Sequence, residues 1–166
     1  MTYHEFKMKR ILRQGYFLGK TDFVAKELLG KWLVRREKDK ETAYMITETE
    51  VYDGFKDLAS HASRGKTKRN TPMFGAPGHW YVYFTYGMHW MLNIVTREKG
   101  YPAAILIRGV ALNWVYPERV ERVEGPARLT KRLKIDKKFN GMPANKKTGL
   151  WIEDRGNFIS KNNIRK

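Results

Sequence analysis

Tyr44-Met45-Ile46-Thr47-Glu48-Thr49-Glu50-Val51-Tyr52 is the stretch from which the fold of this chain is read. It is rich in β-branched and aromatic residues, which suit a pleated, half-buried surface, so it reads as a strand. Side chains alternate across a strand, and strict alternation places Tyr44, Ile46, Glu48, Glu50 and Tyr52 on one face. Two carboxylates two residues apart then share a face in a chain that is otherwise strongly basic. A solvated strand would carry them harmlessly. A site in which one carboxylate does chemistry on something held by basic groups is the sharper reading, and alternation alone does not choose between Glu48 and Glu50.

Working outward, Trp32-Leu33-Val34-Arg35-Arg36 reads as a second strand and Glu37 to Glu41 as a charged turn, so the two strands form an antiparallel pair. Before them, Thr21-Asp22 offers a helix cap, Phe23, Val24, Glu27 and Leu28 follow, and Gly30 stops the helix. Met1 to Gly15 is a basic leader without clean periodicity, either loose or lying on the body. After Tyr52, Asp53-Gly54 turns the chain into Lys56 to His61, whose neighbours Leu58, Ala59 and Ala62 are apolar. A lone histidine is more often a packing residue than a catalyst. Arg64-Gly65-Lys66-Thr67-Lys68-Arg69-Asn70 is a basic loop whose charges and Thr and Asn donors suit phosphate oxygens, although a solvated loop would look the same.

Gly78 to Val95 is the second landmark. Two strand-like halves meet at Gly87, which supplies the backbone freedom for a tight reversal and sets Tyr86 and Met88 at a hairpin tip. An exposed Tyr-Gly-Met tip either packs on another element or serves as a wedge between stacked bases. Tyr81, Tyr83 and Thr85 share one face, as core or as a stacking wall. Tyr101 to Arg108 reads as a buried central strand ended by Arg108, which needs an acidic partner such as Glu48 or Glu50. Asn113 to Glu124 reads as a polar connector. A helix starts at Pro126 with Leu129 and Leu133 at i,i+4, and Leu150 to Glu153 is a last short strand.

The chain has 166 residues, 33 Lys+Arg against 17 Asp+Glu, and a formal charge of +16, so polyanions are the expected partners and binding should weaken with salt. Nine Tyr and five Trp distinguish it from a disordered basic tail. No cysteine is present, which excludes disulfides, thiolate nucleophiles and Cys-type zinc sites. His4, His61, His79 and His89 lack metal-hydrolase spacing, so neither a metal nor a cofactor is expected. No apolar run is long enough for a signal peptide or a membrane span, and the expected setting is the cytoplasm, nucleoid-associated if bacterial. The fold class expected is α+β: a single domain over 1–166, with a curved, mostly antiparallel sheet flanked by helices and a protruding hairpin.

Glu48 to Tyr52, His61, Tyr81 to Met88, Asn93, Leu106 to Arg108 and Gly125 to Leu129 together resemble the alkyladenine (methylpurine) DNA glycosylase family over about residues 20 to 155. The resemblance implies excision of damaged purines, such as 3-methyladenine, 7-methylguanine, hypoxanthine and ethenoadenine, from duplex DNA by hydrolysis of the N-glycosidic bond. It implies that Glu50 activates water and Arg108 positions it. It implies that Tyr52, His61 and Tyr83 sandwich the flipped base, with Ala59 contributing backbone and Asn93 a steric filter. Tyr86 would fill the gap in the duplex, with Gly87, Met88, Lys66, Thr67, Lys68 and Arg69 touching DNA. Glu48 receives no role from it. The family generally has a longer connector after Arg108 and a further strand beyond the end of this sequence, which is therefore expected to be lacking here. A monomer is expected. The competing class is a non-catalytic nucleic-acid-binding protein that keeps the fold, and a weaker one is an RNA-associated basic domain.

Overall fold

In chain order the computed structural model has β1 (Arg10–Ile11), α1 (Thr21–Leu28), β2 (Trp32–Glu37), β3 (Lys40–Asp53), β4 (Trp80–Thr85), β5 (His89–Val95), β6 (Ala103–Leu112), β7 (Glu121–Glu124), α2 (Pro126–Arg132) and β8 (Leu150–Asp154), with short 3-10 turns between them. It describes residues 9–112, 117–157 and 159–165. The strands form one antiparallel sheet in the order β1-β8-β2-β3-β6-β5-β4, with β7 paired to β6 beyond the end of β5. The class is α+β, as the strand-rich sequence with two apolar helical stripes suggests.

Both helices lie on one face of this sheet. Val24, Ala25 and Leu28 of α1 and Leu129 of α2, with Leu133 just after it, join Leu33, Tyr44, Ile46, Trp80, Val82, Leu92, Ile94, Ile105, Ile107 and Val110 in the main core. Each buried Val or Leu on these helices contributes about 1.5–3 kcal/mol, which is what stabilises elements of seven and eight residues that would not persist alone. The opposite face carries a smaller cluster of Ala62, Met73, Phe74, Tyr81, Val95 and Ala104, flanked by Tyr52 and Tyr83. The functional side chains emerge on that second face.

Four expectations are corrected. Thr21 is not a helix cap: it is the first helical residue, and its hydroxyl donates to Asp53 Oδ1 (3.1 Å) and is shared with Thr96. The charged turn shrinks to Lys38-Asp39, because Glu37 and Lys40 pair in the ladder. Arg108 does not end its strand; β6 continues to Leu112, and part of the supposed connector is β7, paired along Gly109 to Leu112. β7 carries only Val123 as an apolar residue, too little pattern to read as a strand.

The fourth correction concerns the opening stretch. Tyr44 and Ile46 do not share a face with Glu50 and Tyr52. The β3–β6 ladder shifts register between Ile46 and Glu48 and again between Glu48 and Thr49. Ile46 packs in the main core, and three residues later the Thr49 hydroxyl donates to the Ala25 carbonyl of α1, while Val51 packs on that same core. On β6, Ile107 and Val110 likewise both enter that core at a spacing of three. The irregularity in both strands turns Glu48, Glu50 and Arg108 onto the second face while Ile46, Ile107 and Val110 stay buried. Gly109 permits it: a Cβ there would lie 3.0 Å from Thr47 Oγ1 and 3.2 Å from Glu48 Cβ.

Candidate active site

Glu50, on β3, is held at both oxygens. The Tyr52 hydroxyl donates to Oε1 at 2.5 Å, and Arg108 Nη1 donates to Oε2 at 2.6 Å. Arg108 Nε donates to Glu48 Oε1 at 3.1 Å, so one guanidinium bridges both carboxylates named as its possible partners. Burial works against the arginine's charge, but the hydrogen bonds and charges of Glu48 and Glu50 outweigh it and hold its pKa above the usual arginine value. Burial, then the Glu50 carboxylate it donates to, pushes the Tyr52 phenol well above its ordinary range, so this hydroxyl stays a neutral donor. A carboxylate held by two donors and left with free lone pairs can accept a proton from a third group.

Beside this carboxylate lies a cavity of about 30 Å³ lined by Tyr52, Ala59, His61, Met73, Tyr81, Tyr83 and Asn93. Its walls are aromatic: the His61 and Tyr83 rings meet edge to face with centroids 4.5 Å apart, and Tyr81 and Tyr83 lie 5.2 Å apart. Burial, with the Arg69 charge second, lowers the His61 pKa, which favours the neutral imidazole; its Nδ1 is 3.0 Å from the Tyr81 hydroxyl. Asn93 is buried opposite Tyr81 in the β4–β5 ladder and donates to the Tyr81 carbonyl at 3.1 Å. Larger clefts exist elsewhere. One of about 1010 Å³ between residues 9–16, 77–79 and 143–145 contains no carboxylate and so lacks an acid–base group of this kind.

The hairpin tip is Tyr86-Gly87-Met88 between the paired residues Thr85 and His89; the Met88 amide donates to the Thr85 carbonyl at 3.1 Å, and the two residues inside that turn, Tyr86 (φ 52°) and Gly87 (φ 63°), are both left-handed. Tyr86 is 87% exposed and Met88 67% exposed, so the Tyr86 ring stands largely in solvent. The basic loop is more structured than its composition suggests. Buried Asn70 donates to the carbonyls of His61 and Gly65, both at 2.9 Å, and accepts from the Thr67 amide at 2.7 Å. Arg69 donates to the Phe84 carbonyl at 2.7 Å and lies over the Tyr83 ring at 5.4 Å, tying the loop to the hairpin. Lys66 lies over Phe74, and Lys68 is exposed.

All seven residues expected at the pocket or the chemistry (Glu50, Arg108, Tyr52, Ala59, His61, Tyr83 and Asn93) therefore meet on one face of the sheet. Met73 and Tyr81 complete the cavity wall. Met73 carries no sequence signal, because it reaches the wall from a short 3-10 turn at Thr71–Phe74. Among the described residues no group of three or more His, Asp or Glu could hold a metal ion, and no helix is long and apolar enough to cross a membrane.

Residues 16–166 match the family described as Methylpurine-DNA glycosylase (MPG). Similar proteins carry the name "Putative 3-methyladenine DNA glycosylase". One from Ehrlichia chaffeensis is 43% identical over 143 residues, covering 86% of this chain and 76% of its own length. Another from Methanocella arvoryzae is 40% identical over 154 residues, covering 87% and 77%. A third, from Legionella pneumophila, is 43% identical over 133 residues, covering 80% and 70%.

Proposed function

The chain belongs to the methylpurine-DNA glycosylase family, and we propose that it excises alkylated or deaminated purines, of the 3-methyladenine, 7-methylguanine, hypoxanthine and ethenoadenine type, from duplex DNA. The observation that carries this reading is Glu50, held between Tyr52 and Arg108, at the edge of an aromatic cavity. A base inside a duplex is out of reach of such a group, so it must leave the stack, at a cost of a few kcal/mol. Tyr86, exposed on a rigid left-handed turn, fills the space it leaves, and the rings of Tyr52, His61 and Tyr83 replace part of the lost stacking.

Glu50 then takes a proton from water while Arg108 orients that water. The bond from the sugar to the purine nitrogen breaks with its electron pair leaving on the base, and the oxocarbenium-like sugar takes the water oxygen. An alkylated purine already bears positive charge and departs readily; neutral hypoxanthine departs as the neutral base only with a proton added. The product is an abasic site with the strand intact. One lesion engages one molecule, so the chain works as a monomer, and the +16 charge supplies affinity for the duplex.

The test is direct. Duplexes with one hypoxanthine or 3-methyladenine are incubated with the protein, and abasic sites are cleaved and counted. Cleavage at the lesion is expected, together with loss of cleavage but retention of lesion binding in Glu50→Gln. Absence of excision across several lesions by intact protein overturns the reading, and a Glu50→Gln variant as active as wild type overturns the assignment of the base.

A further inference from the structure

We propose that Glu48 is a positioning residue for this reaction: it holds the Nε edge of Arg108, so that the guanidinium reaches Glu50 through Nη1 alone. The proposal rests on the glycosylase reading above. Glu48 has no part in that mechanism, and a half-exposed carboxylate on a strand can be simply solvated.

An arginine beside a single carboxylate commonly closes on it with two parallel N–H···O bonds, one to each oxygen. Here the fork is divided. Nε donates to Glu48 Oε1 at 3.1 Å and Nη1 to Glu50 Oε2 at 2.6 Å. Glu50 Oε1 is thereby left to the Tyr52 hydroxyl, and both Glu50 oxygens keep a lone pair for a water proton. The Nη2 group, with no partner among the described residues, retains an N–H donor for the water's oxygen. Without Glu48 the guanidinium is free to rotate onto Glu50, occupy both of its oxygens and displace Tyr52.

Charge points the same way. Two carboxylates around one guanidinium leave this cluster one negative charge in excess, on a chain whose sum is +16. A transition state with positive charge developing on the sugar is favoured by that local excess, provided the charges are held in place beforehand. The backbone holds them: the register shifts on either side of Glu48 put it beside Arg108 instead of in the core, and side-chain-free Gly109 lets its Cβ sit close. Glu48 is about half exposed, so its ion pair adds little to stability. A positioning role and a structural role therefore predict different phenotypes.

The experiment uses the full chain and a duplex with a single hypoxanthine, under single-turnover conditions, with affinity for the lesion duplex measured separately. Glu48→Ala is expected to slow excision by about tenfold or more while affinity changes by less than about threefold. Glu48→Gln keeps an oxygen to accept from Nε but loses the charge, so its rate should fall between those of Glu48→Ala and wild type. In an Arg108→Ala background, Glu48→Ala should slow excision by less than about twofold further, because it acts through a group already removed. Urea unfolding of Glu48→Ala should match wild type. The proposal is overturned if Glu48→Ala excises at the wild-type rate, if its effect multiplies with that of Arg108→Ala, or if rate loss follows lost affinity or lost stability. An inactive wild type would instead overturn the glycosylase reading, and this role with it.

Discussion

Gly109→Ala tests whether the close packing at the β3–β6 irregularity sets the geometry of the active site. The added methyl would meet Thr47 Oγ1 at 3.0 Å, Glu48 Cβ at 3.2 Å and Glu48 Oε2 at 3.5 Å. Comfortable carbon contacts begin at about 3.5 Å, so β3 must give by a few tenths of an ångström. Overpacking of this kind costs about 1–3 kcal/mol, and the half-exposed setting of Glu48 favours the lower end. The activity loss should be larger than that figure implies. Pushing Glu48 outward lengthens its 3.1 Å bond from Arg108 Nε; where a full 1 Å misplacement costs about 100-fold in rate, a few tenths costs roughly 3- to 10-fold.

Urea unfolding gives the first quantity and single-turnover excision of hypoxanthine from duplex DNA the second, on the same preparation. The double variant Thr47→Ala/Gly109→Ala removes the closest contact and leaves the one to Glu48. It should regain part of the stability and little of the rate. A Gly109→Ala protein within about 0.5 kcal/mol of wild type and within twofold in rate would refute the argument, because the strands would then accommodate the methyl without moving the carboxylates.

Other outcomes follow from single features. Tyr86 stands in the left-handed region, which costs about 1–2 kcal/mol for a non-glycine residue, and its ring is solvent-exposed, so Tyr86→Gly should unfold at the same or higher urea while losing lesion excision. A lower unfolding midpoint would mean that the ring packs. Asn70→Ala removes three part-buried hydrogen bonds of a buried side chain and should cost about 2–4 kcal/mol, read by thermal or urea unfolding, with limited proteolysis cutting first between residues 61 and 70. Because burial holds the His61 pKa below its ordinary value, the unfolded chain binds the proton first as pH falls; stability is fully present above about pH 6.5 and is lost on acidification towards the folded value. His61→Gln should show a shallower loss than wild type between about pH 7.5 and 5.5, and an identical slope would refute the assignment. Binding to undamaged duplex should weaken steeply with salt, and a flat response in a titration would count against the basic surface.

Local chemistry made most of the elements legible. Thr21 to Leu28 has its apolar stripe and its following glycine, Leu129 and Leu133 their helical spacing behind Pro126, and the Trp80–Val95 hairpin its central Gly87. What failed did so for lack of local signal. β7 exists because the outer edge of β6 beyond Leu106 is vacated by β5 and needs a partner, a fact about a strand that ends twenty-six residues before β7 begins. Thr21 looked like a cap because its residue type favours that position; tertiary partners, Asp53 and Thr96, took its hydroxyl instead.

The site was legible as a set of residues and illegible as geometry, and the reason lies in one assumption. Period-two alternation places Glu50 beneath α1 with Ile46, where an ionised carboxylate would be buried in the main core without water. No residue type in Tyr44 to Tyr52 announces that the period breaks. The break needs slack on the opposite strand as well, and only Gly109, fifty-nine positions after Glu50 in the chain, offers it. Arg108 shifts with Gly109, so the irregularity that frees the carboxylates from the core also delivers their cation to the same face. A single-strand bulge would have moved the glutamates alone and left two like charges facing each other. The paired irregularity makes a carboxylate–guanidinium–carboxylate cluster the low-energy arrangement, and that is why the strand rule fails at the position where the chemistry is placed.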